Sequence, residues 1–558
     1  MRANDRCTHA MLAACLLASV LCAIVILDYS GYPFAPYELW ILEYHLRNQD
    51  LAGALLLALI ALLAWLPAGR QQALAFVDAV SRHPRLVAAA AFVALCLGTL
   101  FVEFDHPIAQ DEYAALLQSR IFAAGSLTGV FPPELIGRLI PPLYMNSFVY
   151  GSFETGQIAS AYWPGFALLL TPFTLVNASW ACNALLASLA LLLMARIAVA
   201  LSGVPQAGGW AMLLALASPA FTGMALTYFS MTAHLLLNLA FVWLLIERSA
   251  RRLLLAGLVG SFALILHNPV PHALFALPWI VWIALQPGAR RNLLLLGAGY
   301  APIALGIGFG WALLLSHIQG ATLHGLVPHT GEPADRILNF LWDWHVKLRT
   351  ALAGPGDDVL ATRAAELVRL WTWAVPGLPL LAAAGWWLAR RDPRAFVLGL
   401  SLLATMAGYL FVGFNQGHGW GARYLHPAWG TLPILAALAV VRADSLDRCA
   451  RLGGYVASLA VLSLVFATAL RAAQVNEYVA SHLAQRPPAP REGRHVVFIR
   501  IERGNYTASL VQNDPFLRNR VWYLISSGAD KNAQLMRDKF PGARREFADR
   551  RGEVWRVE

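Results

Sequence analysis

Phe104-Asp105-His106-Pro107-Ile108-Ala109-Gln110-Asp111-Glu112-Tyr113 leaves a long apolar run and opens the longest polar insertion in the N-terminal half of the chain. The acidic pair Asp111 and Glu112 stands at the edge of that run. Behind it, Ala114 to Gly125 places apolar residues on one helical face. Ionisable groups are costly inside a bilayer and tend to face wet cavities or the membrane surface. The pattern therefore reads as carboxylates held just outside a membrane, where they can act on a lipid-borne substrate.

The rest of the chain supplies the membrane. Of 558 residues, 58% are hydrophobic and 13% charged, against roughly 25% charged in soluble domains. Apolar runs of about 17 to 25 residues recur, which favours helices over a barrel, whose strands alternate in segments of about ten. Spanning helices are expected near 11–28, 51–67, 86–104, 180–201, 209–227, 231–247, 252–268, 270–286, 293–316, 370–389, 394–413, 427–442 and 452–471, about thirteen in all. Arg2, Arg6, Arg70, Arg82, Arg85, Arg248, Arg251, Arg252, Arg290, Arg291, Arg390, Arg391, Arg394, Arg442, Arg448 and Arg451 all fall on one side of this threading. The positive-inside rule makes that side cytoplasmic. It also accounts for the formal charge of +10 without a nucleic-acid partner.

The same threading sends 105–179, 317–369, 414–426 and 472–558 to the opposite side, with the N-terminus cytoplasmic. The apolar run from Trp163 to Val176 is short and contains Pro164 and Pro172, so it is expected to lie at the interface or dip in rather than cross. Arg2 and Arg6 before the run Ala10 to Leu27 suggest a retained signal anchor, since Asp28-Tyr29-Ser30-Gly31-Tyr32 offers no small-x-small cleavage site. The six cysteines fall in or beside apolar segments with no CxxC spacing, which indicates neither a disulfide framework nor a thiolate metal site.

After Arg471 the composition changes. Arg486-Pro487-Pro488-Ala489-Pro490-Arg491 is a stiff, extended linker, and residues 492–558 are ordinary soluble sequence. Strands are expected at 495–501, 520–525 and 553–557 with a helix at 531–540, making a small α/β domain. The organisation expected is two N-terminal spans in 1–85, a membrane catalytic region in 86–471 with external loops 105–179 and 317–369, and an external α/β domain in 472–558.

Three stretches, in this order and on one predicted membrane face, resemble the GT-C superfamily of integral-membrane glycosyltransferases, especially bacterial relatives of protein O-mannosyltransferases and lipid A aminoarabinose transferases. The first is Gln110-Asp111-Glu112-Tyr113 with the helical run to Gly125, similar to the family's opening external loop. The second, Tyr162-Trp163-Pro164-Gly165-Phe166, is similar to the aromatic-proline segment that ends that loop. The third, Gly421-Ala422-Arg423-Tyr424-Leu425-His426-Pro427, is similar to an Arg-Tyr-Leu-x-Pro start of a late helix. The resemblance covers roughly 86–471. It implies sugar transfer from a polyprenyl-phosphate donor to a lipid, glycan or protein acceptor at the external face of a bacterial inner membrane, with Asp111 as catalytic base. His267-Asn268-Pro269-Val270-Pro271-His272 departs from the family, which often has an Arg-Pro pair there.

Such a transfer needs a base at the acceptor, in-line geometry and cations on the departing phosphate. Asp111 and Glu112 are candidates for the first; carboxylates at a helix N-terminus also have a purely structural use. Arg423, between a glycine-rich stretch and Pro427, suits a phosphate, as its fork of donors matches that anion. A snorkelling arginine would look the same. Tyr424, Trp420, Tyr162, His234, His267 and His272 complete the candidate substrate contacts. Tyr424 reads equally as an interfacial anchor, and His234 as a packing histidine. A divalent metal on His267 and His272 with His324, His329 or Asp111 matches no recognised ligand spacing, and no cofactor is expected. Lys347 and Arg349 after Trp342-Asp343-Trp344-His345 are alternatives for a lipid headgroup. The rival functions are a flippase of lipid-linked sugars, which calls for charged or broken pairs at mid-membrane in matching halves, and a polysaccharide polymerase or ligase.

Overall fold

The computed structural model describes residues 6–29, 40–319, 349, 357–412, 415–443, 449, 451–501 and 505–557. The protein is mostly helical, and two compact units divide it. The first comprises 1–102, 183–304 and 349–474; the second comprises 103–182, 305–348 and 475–558.

In the first unit, a helix occupies most of every expected span it contains. Among the described residues, six helices are long and apolar enough to cross a bilayer, or up to eight if two bent pairs each count as one span. Others are shorter. Met231–Ile246 has 16 residues, and at 1.5 Å per residue it rises about 24 Å against a hydrocarbon core of about 30 Å. One bent pair, Gln206–Leu216 with Pro219–Ala225, turns by 68°. Pro219 has no N–H to continue the ladder. The groups freed at the bend are taken up inside the unit: Ala220 N–H donates to the Trp373 carbonyl (2.7 Å), and Val375 N–H to the Ser218 hydroxyl (3.2 Å). The second pair, Arg423–Trp429 with Thr431–Ala443, bends by 51° at Gly430.

The second unit holds the first polar insertion and the C-terminal segment. Its helix Gln110–Ala123 turns Tyr113, Ala114, Leu117 and Ile121 into the unit's main core. Beside it, β1 (Gly129–Val130), β2 (Val149–Gly151) and β3 (Gln157–Ser160) form an antiparallel sheet in the order β1-β3-β2, with Tyr150 opposite Ala159. The run from Trp163 to Val176 becomes the helix Gly165–Leu175, whose 11 residues rise only about 16 Å.

The C-terminal residues form a second sheet from β4 (Arg494–Ile499), β5 (Val521–Ile525), β6 (Arg544–Asp549) and β7 (Gly552–Val557), ordered β5-β4-β7-β6. β4 and β5 are parallel and the other pairs antiparallel. A parallel pair needs a crossover, here made by the chain between β4 and β5. Central β4 is apolar almost throughout because both its faces are covered. Val496 and Phe498 enter the core that also holds Tyr113 and Leu117, while Val497 and Ile499 enter another with Leu510 and Val511. Residues from the helix Gln110–Ala123 and the C-terminal sheet thus share one core. The edge strand β6 carries Arg544, Arg545, Glu546 and Asp549, charges that discourage pairing with another chain.

The cysteine reading needs one correction: Cys7 and Cys449 are joined in a disulfide, with Cα atoms 5.1 Å apart. The helices Arg6–Tyr29 and Leu452–Leu462, which the two residues adjoin, pack on each other. Contact across 442 residues leaves no spacing signal in the sequence.

Candidate functional site

In the second unit the acidic pair separates into two roles. Ala109 is extended and the helix begins at Gln110. Glu112, fully buried, reaches back so that one carboxylate oxygen accepts the backbone N–H groups of Ile108 (3.0 Å) and Ala109 (3.2 Å). This is the glutamate half of a capping box, and it fixes the start of the helix. Asp111 is half-buried on the neighbouring position. Adjacent helical residues point about 100° apart, so Asp111 stands on a different helical face from Glu112.

Immediately upstream, Phe104 and Asp105 adopt φ of 57° and 50°, a left-handed conformation that costs on the order of 1–3 kcal/mol per non-glycine residue. Buried His106 comes directly after them. The Arg486 guanidinium lies 3.3 Å from its Nδ1, and its ring centroid is 5.5 Å from that of His482. Burial, then the charge of Arg486, then His482 push the His106 pKa well down. A neutral ring accepts from the guanidinium. Tyr144 shares a hydrogen bond of 3.1 Å with the Ser509 hydroxyl. Its phenol is pushed up first by burial and also by the charge of Asp111, with the Ser509 bond opposing. Tyr162 is half-buried, packs edge-on against Phe148 and accepts the Trp311 indole N–H on its carbonyl (2.8 Å).

In the first unit Arg423 lies in a loop wound by three glycines, Gly417, Gly419 and Gly421, with φ of 59°, 121° and 65°. Residues with a Cβ take that region only at a cost. Gln416 braces the loop: its side-chain carbonyl oxygen accepts Arg423 N–H (2.8 Å) and its amide donates to the Gly421 carbonyl (2.8 Å). Arg369 donates to the Gly419 carbonyl (2.9 Å). The Arg423 guanidinium lies 4.4 Å from the Phe229 ring centroid and 5.6 Å from that of Tyr424. Tyr424 stacks on Tyr409 and donates its hydroxyl to the Asn415 carbonyl (3.0 Å).

Around Arg423 lies a buried ionic cluster. Asp50 pairs with Arg471 (3.0 Å) and Arg369 (3.2 Å), and accepts from the Thr372 hydroxyl (2.9 Å) and the Trp373 indole (2.6 Å). Arg363 pairs with Glu366, which also interacts electrostatically with Arg369 and Arg423. Arg363, Arg369, Arg423 and Arg471 are at most 8% exposed, and Asp50 and Glu366 at most 3%. Among the described residues, four guanidinium groups and two carboxylates gather in this cluster. Burying charge without compensation costs several kcal/mol per ion. Each guanidinium in the cluster carries the forked donors that suit a carboxylate or a phosphate.

The remaining candidates sit differently. Trp420 is fully buried, stacked on Trp373 and edge-on to His45. His272 spends both ring nitrogens inside the protein, on Asn238 (2.7 Å) and the Tyr300 hydroxyl (2.7 Å). His234 is fully buried and interacts electrostatically with His267 and His272, while His267 is half-buried. Arg349 is exposed. His324, His329, Trp342, Asp343, Trp344, His345 and Lys347 lie outside the described residues. Among the described residues no three His, Cys, Asp or Glu side chains converge as a metal group. The sequence reading missed Asp50, Arg363, Glu366, Arg369 and Arg471, although charges in or against apolar segments were a usable signal. It also passed over Tyr144 and Arg486.

The fold has solved relatives. It matches that of ArnT from Cupriavidus metallidurans bound to undecaprenyl phosphate, with a TM-score of 0.51 and 14% identity over 84% of this chain and 97% of that one. The apo form of the same ArnT gives 0.49 and 15% over the same shares. No family model matches the sequence, and no curated protein does. The fold of this chain is thus that of ArnT, the helical membrane architecture expected from the sequence.

Proposed function

We propose that this protein is a GT-C-type glycosyltransferase that moves a sugar from a polyprenyl-phosphate donor to an envelope acceptor at the periplasmic face of a bacterial inner membrane. The observation that carries the reading is the buried gathering of four guanidinium groups, those of Arg423, Arg363, Arg369 and Arg471. A phosphate monoester leaving the sugar carries the opposite charge, and Arg presents it with paired donors. The fold neighbour was solved with undecaprenyl phosphate bound, which supports the same lipid class here.

In this reading Arg423 holds the phosphate and stabilises the charge that develops on it as the glycosidic bond breaks. The half-buried Asp111 takes the proton of the attacking hydroxyl, and Glu112 keeps the helix that carries Asp111 in place. Mass spectrometry of lipid-linked sugars and envelope glycans from cells with and without the gene tests this. Loss of one sugar from an envelope component, with its polyprenyl-phosphate form accumulating, is the expected result. Unchanged profiles in both pools would overturn the proposal.

A further inference from the structure

Asp111, as the proposed base, has to be held still, and the second unit contains a segment arranged to do so. Ser509-Leu510-Val511-Gln512-Asn513, in the crossover between β4 and β5, runs along the start of the Asp111 helix and bonds to it on both sides of the carboxylate. The Gln512 amide donates to the Pro107 carbonyl (2.7 Å), four residues before Asp111. The Gln110 amide donates to the Val511 carbonyl (3.4 Å), one residue before. The Tyr113 hydroxyl, two residues after, donates to the Asn513 carbonyl (2.7 Å) and accepts its N–H (2.8 Å). Ser509 bonds Tyr144 (3.1 Å), the phenol that feels the Asp111 charge.

The segment is itself rigid. The Asn513 side chain makes two bonds to the backbone of Tyr523 on β5, at 2.9 and 2.8 Å, while Leu510 and Val511 are buried in the sheet's second core. Ser509 and Asn513 are each 1% exposed. Tyr113 has no spare role: its phenol is buried, burial keeps it protonated, and both its lone-pair and proton sides are used by Asn513.

We infer that the strip Ser509–Asn513 is a positioning element for Asp111, and that seating this carboxylate is what the C-terminal α/β domain contributes to transfer. The inference rests on the role proposed for Asp111. A base displaced by about 1 Å loses on the order of a hundredfold in rate, because proton transfer depends on a fixed hydrogen-bond geometry. Bonds that bracket one residue on both sides and tie it to a buried strand limit such displacement.

The test is a double-substitution cycle on the full-length protein in detergent. Polyprenyl-phosphate sugars extracted from the source membranes serve as donor and delipidated envelope as acceptor. Tyr113→Phe removes only the hydroxyl that bridges Asn513, and Gln512→Met removes the donor to Pro107 at similar length without adding a charge. Each should lower kcat about ten- to a hundredfold while KM for donor stays within about twofold. In an Asp111→Asn background either change should cost less than about twofold more, since the strip acts through Asp111. Thermal unfolding of each variant shows the folded fraction to which the rates are normalised. Rates that multiply independently in the Asp111→Asn background would overturn the strip's role and leave the base assignment standing. Parent-like turnover by Asp111→Asn alone would overturn the base assignment and the strip with it.

Discussion

At the scale of single residues, Asp111 and Glu112 are chemically alike and sequence spacing cannot tell them apart. Backbone hydrogen bonds do: Glu112 is occupied with the N–H groups of Ile108 and Ala109, and Asp111 is on a different helical face. Arg423 was visible as a basic residue among glycines, whereas its neighbours were hidden because Asp50, Arg369 and Arg471 meet across 421 residues of chain or fewer. The arginine cluster makes a graded prediction. Arg423→Ala should weaken undecaprenyl phosphate binding about ten- to a hundredfold, the loss of one charge-assisted contact of about 1.5 to 3 kcal/mol. Arg423→Lys should restore part of it, since an ammonium supplies charge without the paired fork. Lipid-dependent thermal stabilisation of the purified variants measures both. Parent-like stabilisation of a folded Arg423→Ala protein would remove Arg423 from the phosphate site.

Among the elements, the apolar helices were legible from the length of their runs and the main C-terminal elements from their patterns: β4, β5, β7 and the helix Ala529–Lys539 fall within a few residues of expectation. The strands that escaped are short or charged. β1 has two residues, β2 three, and β6 reads Arg-Arg-Glu-Phe-Ala-Asp, so none shows an alternation to detect. The glycine loop is an element whose conformation its sequence announced without showing what it held. Gly421 has φ +65, and a Cβ there would lie 3.0 Å from the Ala220 Cβ and 3.3 Å from its Cα. Gly421→Ala should therefore lower the melting temperature and, by shifting Arg423, weaken undecaprenyl phosphate binding as well, in the same thermal assay. Gly297→Ala, in a helix with open space at that position, is the control expected to leave lipid binding unchanged.

For the whole molecule, the sequence separated a membrane region from a C-terminal domain by composition. The fold groups the C-terminal residues with the segment 103–182, through a core shared by Tyr113, Leu117, Val496 and Phe498. Composition reports solvent and is blind to partner choice, so this grouping was not available beforehand. Sidedness is expected from the basic loops: a periplasm-active reporter fused after Glu558 should be active and a cytoplasm-active one silent. The reverse would put the proposed site on the cytoplasmic face. The central claim is sugar transfer with Asp111 as base, and the direct measurement is turnover of polyprenyl-phosphate sugar by the purified parent, Asp111→Asn and Glu112→Gln, alongside thermal unfolding. The parent should release polyprenyl phosphate, Asp111→Asn should fall by about 10² to 10⁴ with donor binding kept, and Glu112→Gln should lose stability more than turnover. Turnover by Asp111→Asn within a few-fold of the parent, or none by the parent itself, would contradict it.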